Sequence, residues 1–230
     1  MVRYSRRLSA SDVAYDFIRK KIIKLEYAPS THLVEEQLSK EIEVSRTPLR
    51  QALYRLELEQ LVLKQPNGRI IVTPITPTEA GDVFKVREVL EGLVAKEATE
   101  KLSEQDFHKL EEALVLMKMA AEKDRKEDLV KHGAQFHEIL QTASANEVAN
   151  QFLNQLKSRI ARYRRISSYA NPTYEPDVVV QEHIQIFNLL QKGQKDEVEK
   201  AMRAHIRRSL QSTIETLELY VKGVALEKDK

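Results

Sequence analysis

Apolar residues recur at helical spacing from the start of the chain. Val13, Phe17, Ile18, Ile22 and Leu25 mark one face of a helix over 9–25, which Tyr27-Ala28-Pro29-Ser30 breaks. A second helix is predicted over 35–42 and a third over 45–59, with Leu49, Ala52, Leu53 and Leu56 as its apolar face. The period then changes. Two β-prone runs, 61–65 and 69–72, flank Pro66-Asn67-Gly68, and Asn-Gly between such runs signals a hairpin. In Thr73-Pro74-Ile75-Thr76-Pro77, two close prolines block continuation of strand or helix, so the domain junction is expected there. Beyond it the pattern is helical, with no convincing strand. Helices are predicted near 78–101, 103–123, 126–143, 147–168, 176–191 and 194–221, with Ser103 and Asp106 as a capping pair and Gly193 and Gly223 at helix ends. The expected fold is mainly α. A winged helix-turn-helix of three helices and a β-hairpin occupies 1–75, and an all-α antiparallel bundle, whose interior can house a ligand or metal, occupies 76–230.

The segment Val44-Ser45-Arg46-Thr47-Pro48-Leu49-Arg50 joins the second and third helices. Ser45 is suited to an N-cap, and Pro48 falls in the first turn, where no N–H partner is missed. The face opposite the apolar stripe carries Arg46, Thr47, Arg50, Gln51, Tyr54 and Arg55, with Arg46 and Arg50 one turn apart. A short helix, a tight turn and an arginine-bearing second helix describe a module that reads the DNA major groove.

Charge supports this division modestly. The formal net charge is +2, but residues 1–75 hold 13 Lys and Arg against 9 Asp and Glu, leaving the remainder slightly acidic. The absence of cysteine excludes disulfides and thiolate metal ligands. Arg3, Arg6 and Arg7 make the start basic without a following apolar stretch, so a secretory leader is not expected; a frayed terminus is favoured over a DNA-binding arm. No apolar run approaches the length of a membrane span, and a cytoplasmic location is expected.

Residues in both parts resemble the GntR superfamily of bacterial transcriptional regulators. The marks are Pro29 and Leu33, the run from Val44 to Leu53, Arg55-Leu56-Glu57 and Leu61-Val62. The later part looks like the all-helical FCD ligand domain of the FadR branch, through Val86-Arg87-Glu88-Val89-Leu90-Glu91, Phe136-His137, Asn146, Glu182-His183 and His205. The resemblance implies a dimeric repressor or activator that binds an imperfect palindrome and responds to a small metabolite, often a carboxylate. It implies Arg46 and Arg50 as base or phosphate contacts, Ser45 and Thr47 as phosphate contacts, and Gly68 as the place where the wing tip approaches DNA. Glu36 stands where many relatives carry an arginine, which removes one phosphate contact.

His137, His183 and His205 fall on three different predicted helices at the family's ligand positions, while His32 and His108 are expected on the surface. Neutral imidazoles suit Zn or Ni. The family's fourth ligand is an aspartate one turn before the first histidine, where this chain has Gly133; His132 points elsewhere. Two readings stand: a three-histidine metal site, or a polar cavity whose histidines bind the effector directly. By resemblance Arg87 fixes an effector carboxylate and Asn146 also binds the effector. The plainer readings are a surface ion pair of Arg87 with Glu88 or Glu91, and Asn146 as a helix cap. Arg159, Arg162, Arg164 and Arg165 cannot all face inward, so most are expected in solvent. Among rival functions, a metal-dependent hydrolase is suggested by His137-Glu138, but Gln141 stands where a second histidine would be needed. An architectural DNA-binding protein would require a larger basic excess.

Overall fold

The computed structural model describes residues 8–171 and 174–228; the basic arm Arg3, Arg6 and Arg7 lies outside the described residues. Among these residues there are nine helices and one three-stranded antiparallel sheet. The chain divides into two compact units, one ending at Ile75 and the other beginning at Thr76.

In the first unit, α1 (Ala10–Ile23) starts at a capping box in which Ser9 and Asp12 satisfy each other's backbone N–H. Its buried face is Ala14, Ile18 and Ile22; Val13, expected on that face, is largely exposed because the face lies one position further round. Helix α2 (Glu35–Ile42) ends at Glu43 in the left-handed conformation, and α3 (Arg46–Leu58) buries Leu49, Ala52, Leu53 and Leu56. Strands β2 (Val62–Lys64) and β3 (Ile70–Val72) pair with Val62 opposite Val72 and Lys64 opposite Ile70. Gly68 has φ +82°, the left-handed region that this tight turn requires. A third strand, β1 (His32–Leu33), adds to the other edge of β3, giving the order β1-β3-β2. Two residues are too few to show a period, so this strand was invisible in the hydrophobic pattern.

The second unit is helical throughout. Pro77 does not merely interrupt the chain: it is the first residue of α4 (Pro77–Ala98), with Thr76 as N-cap accepting from the Glu79 N–H. Helices α5 (Glu104–Glu122), α6 (Lys126–Ser144), α7 (Glu147–Ala170), α8 (Pro176–Gln191) and α9 (Lys195–Lys228) follow. Ser103 and Asp106 form the expected capping box. Gly223 does not end its helix, because α9 continues through it to Lys228; a lone helical glycine costs only about 1 kcal/mol. Helix α4 packs along α9 and also meets α6 and α7, so most of its circumference is covered. That explains why polar residues of α4 can be fully buried.

Candidate functional site

The exposed face of α3 carries Arg46, Thr47 and Arg50, all open to solvent. Ser45 holds the N-cap position, yet its side chain makes no capping hydrogen bond. An N-cap oxygen accepts from the second or third helical N–H, and the third residue here is Pro48, which removes one of those two donors. Arg50 Nε donates to Glu35 Oε2 at 2.9 Å across the helix-turn-helix. Glu36, in contrast, pairs with Lys40 within α2. At the wing, Gln65 N–H donates to Arg69 O at 2.8 Å and Asn67 Oδ1 accepts from Arg69 N–H at 3.0 Å, fixing the exposed tip.

The second unit contains a partly open cavity of about 60 Å³, lined by Gly133, His137, Arg164, His183, His205 and Arg208 among others. The three imidazoles come from α6, α8 and α9 and can each offer a ligand atom within 4.8 Å of the others. Each Nδ1 already has a partner. His137 Nδ1 donates to Glu91 Oε2 at 2.9 Å, His183 Nδ1 to the Val179 carbonyl at 2.8 Å, and His205 Nδ1 to Glu182 Oε2 at 2.7 Å. These acceptors place the proton on Nδ1, so each Nε2 keeps its lone pair. His137 Nε2 and His183 Nε2 are buried with no hydrogen-bond partner among the described residues. Burial holds all three rings neutral at pH 7: His137 is pushed down to about 3, His205 to about 4, and His183 well below its usual value. Neutral, convergent, externally anchored imidazoles with free lone pairs are what a divalent metal requires, so the residues fit such an ion.

Two carboxylates that stood among the family marks without a site role, Glu91 and Glu182, do the anchoring. Glu91 is buried, which opposes its ionisation, but His137 and Arg87 hold its carboxyl well below the usual range. Glu182 meets the same opposition from burial, yet His205 and Arg208 bring it down to about 2. Glu182 also accepts both the Nε and Nη2 donors of Arg208. Glu91 was foreshadowed by its position one turn after Arg87, and Glu182 by its place beside His183.

Several expected residues lie elsewhere. Arg87 is neither on the surface nor on the cavity wall: it is 0% exposed, its Nε donates to Glu91 at 3.2 Å, and α9, α6 and α7 cover its helix. Its Nη1 and Nη2 have no partner among the described residues. Asn146 is a cap. Its Oδ1 accepts from Ala149 N–H and its amide donates to Glu97, which leaves nothing aimed at the cavity. Arg164, one of four arginines most of which are expected in solvent, lies on the wall of the cavity, where burial and Arg87 lower its pKa to about 9. Its neighbours are not solvated either, since Arg162 is buried and Arg159 pairs with Glu79 at 2.6 Å. Helix α7 has neighbours in α4, α6 and α9, so more than one of its faces is covered. His32 and His108 are exposed. Gly133 is buried in α6, and a Cβ there would lie 3.6 Å from Met117 Cε and 3.8 Å from His183 Nε2. A side chain at 133 would therefore enter the histidine cluster. Glu138, the carboxylate a hydrolase would need, faces outward and pairs with Lys157 at 2.7 Å.

Known proteins show the same two-part arrangement. Residues 10–72 match the bacterial regulatory proteins of the gntR family, and residues 82–208 match the FCD domain. The transcriptional repressor RspR of Escherichia coli K12 is 28% identical over 194 residues, covering 84% of each chain. The Nta operon transcriptional regulator of Aminobacter aminovorans is 24% identical over 87% of this chain and 95% of its own. Among solved structures, Escherichia coli McbR/YncC superposes with a TM-score of 0.74 at 19% identity, over 93% of this chain and all of that one, a likeness of fold. No described helix is long and apolar enough to cross a membrane. A winged helix-turn-helix with exposed arginines, followed by an FCD bundle, makes this chain a transcriptional regulator, and it belongs to the GntR family.

Proposed function

We propose that this regulator binds an imperfect-palindrome operator as a homodimer and that an anionic metabolite, a carboxylate, modulates its DNA affinity from the helical domain. Arg46 and Arg50 contact base edges or phosphates, Ser45 and Thr47 contact phosphates, and Gly68 lets the wing tip approach the duplex. His137, His183 and His205 hold a divalent ion, Zn or Ni, through their Nε2 atoms. Such an ion supplies a positive anchor for a carboxylate oxygen. Arg164, on the wall of the same cavity, supplies a second cation for the effector, a role the resemblance gave to Arg87. The gap beside His183 at Gly133 leaves room for water or effector where relatives place an aspartate.

The observation that carries this reading is the set of three anchored imidazoles that each offer a ligand atom within 4.8 Å of the others. Calorimetric titration of the wild type, Gly133→Asp and His183→Ala with Zn, Ni and Mn tests it. Uptake by the wild type, tighter uptake by Gly133→Asp and loss in His183→Ala are expected. No uptake by the wild type at sub-millimolar metal would discard the ion and leave the histidines as direct effector contacts. Sedimentation at micromolar concentration tests the dimer, and a monomer binding one half-site would contradict it.

A further inference from the structure

The two arginines on the reading face of α3 are not equivalent. No hydrogen bond or ion pair of the Arg46 side chain occurs among the described residues, whereas Arg50 is tied through Nε to Glu35, at 2.9 Å. Glu35 is the first residue of α2, whose N-cap Val34 offers no side-chain acceptor. A carboxylate at that helix start is stabilised by the positive end of the helix dipole, so Glu35 has its own reason to remain in place. Its tie uses Nε alone. The Nη1 and Nη2 donors of Arg50 bond to nothing among the described residues, and these two parallel donors can bind guanine O6 and N7 end-on. Glu35 and Arg50 border one groove together with Tyr54, Lys64 and Gly68.

We infer that Glu35 is a positioning residue for DNA readout, which restricts Arg50 to that end-on presentation and disfavours duplexes that do not match it. Two effects act in the same direction. A tethered guanidinium has lost side-chain freedom before DNA arrives, so docking on the matching base pair orders less. A carboxylate beside the groove is also repelled by phosphates on any duplex, and this repulsion is offset only where Arg50 engages its base. Specificity is then a property of the pair, with Glu35 lowering affinity for unmatched DNA.

The inference rests on α3 being the recognition helix, and the test separates the two ideas. Duplexes are selected from a randomised library by the full-length wild type, Glu35→Gln, Glu35→Asp, Glu36→Gln and Arg50→Ala. Affinities are then measured for the wild-type-selected duplex and a scrambled one at two salt concentrations. Wild type should disfavour substitution at one base pair per half-site by about fivefold or more. That preference should flatten in Arg50→Ala and in Glu35→Gln, and Glu35→Gln should also bind the scrambled duplex more tightly. Glu35→Asp keeps the charge but shortens the reach, so it should lose the preference without gaining affinity for scrambled DNA. Glu36→Gln should keep the preference. If Arg50→Ala loses the preference while both Glu35 variants retain it, the positioning role is wrong and the recognition helix stands. If Arg50→Ala also retains it, both ideas are wrong.

Discussion

In the first unit, the arginines of α3 stand outside a core of Ile18, Leu49, Leu53 and Leu56. In the second unit, Arg87, Glu91, His137, His183 and His205 occupy the interior itself. The difference shows in how each unit satisfies its polar groups. Surface charges can be exchanged with water and cost little. Buried ones are tolerable only when each finds a partner, and the atoms left over mark where something else should bind. Among the described residues these leftovers include two imidazole nitrogens of the cluster, on His137 and His183. The same comparison separates what can be changed by mutation without harm to the fold from what cannot.

Acid should divide the two units most strongly, because it acts on three buried imidazoles at once. Their folded pKa values lie below the ordinary 6.5, so the unfolded chain binds more protons. The helical unit should therefore keep its full stability above about pH 6.5 and lose it as pH falls toward 4. In the first unit Asp12 is lowered from 3.8 to about 2 by its bonds to Ser9 and Arg55, so its contribution persists through that window. Amide exchange at pH 7.5 and 5, resolved by unit and run in chelator, measures both. Equal weakening of the two units would remove the contrast.

Next in size is Glu91→Ala. It leaves Arg87 buried without a counter-charge and His137 without its acceptor, a loss of about 3–5 kcal/mol by urea unfolding. The matched surface change Glu36→Ala should stay within about 0.5 kcal/mol, and similar losses from both would show that Glu91 is not a buried anchor.

Arg46→Ala and Arg50→Ala reverse the pattern. Each should weaken operator binding by about 1–3 kcal/mol while leaving unfolding unchanged, since both side chains lie off the apolar face. Unaltered operator affinity in both would end the assignment of α3.

The smallest effect is expected at Gly133. A Cβ there meets only ordinary contacts, so Gly133→Ala should stabilise α6 by up to about 1 kcal/mol. A loss of stability would mean that the cavity wall tolerates no added methyl.

The contrast also governs how much could be read from the sequence. Helix α2 was placed at its observed ends, and the apolar face of α3 was named in full, because both follow from local periodicity on one exposed side. The three histidines were recognised by position and do converge. Their supports were harder. Arg87 lies buried off the cavity and Arg164 on its wall, because a helix covered on several sides has no single polar face and periodicity no longer tells inside from outside. Strand β1 depends on pairing with a residue some forty positions later, His32 with Ile71, which no local pattern encodes.

Pro48 has one more consequence. It removes one of the two donors that Ser45 could have capped, and the first amides of α3 are unclaimed by the serine side chain. The opening turn of that helix is formed but carries no side-chain cap among the described residues. A phosphate seated there would complete it, accepting from the amides and from the hydroxyl together. The duplex would then act as the missing cap of the protein's own helix.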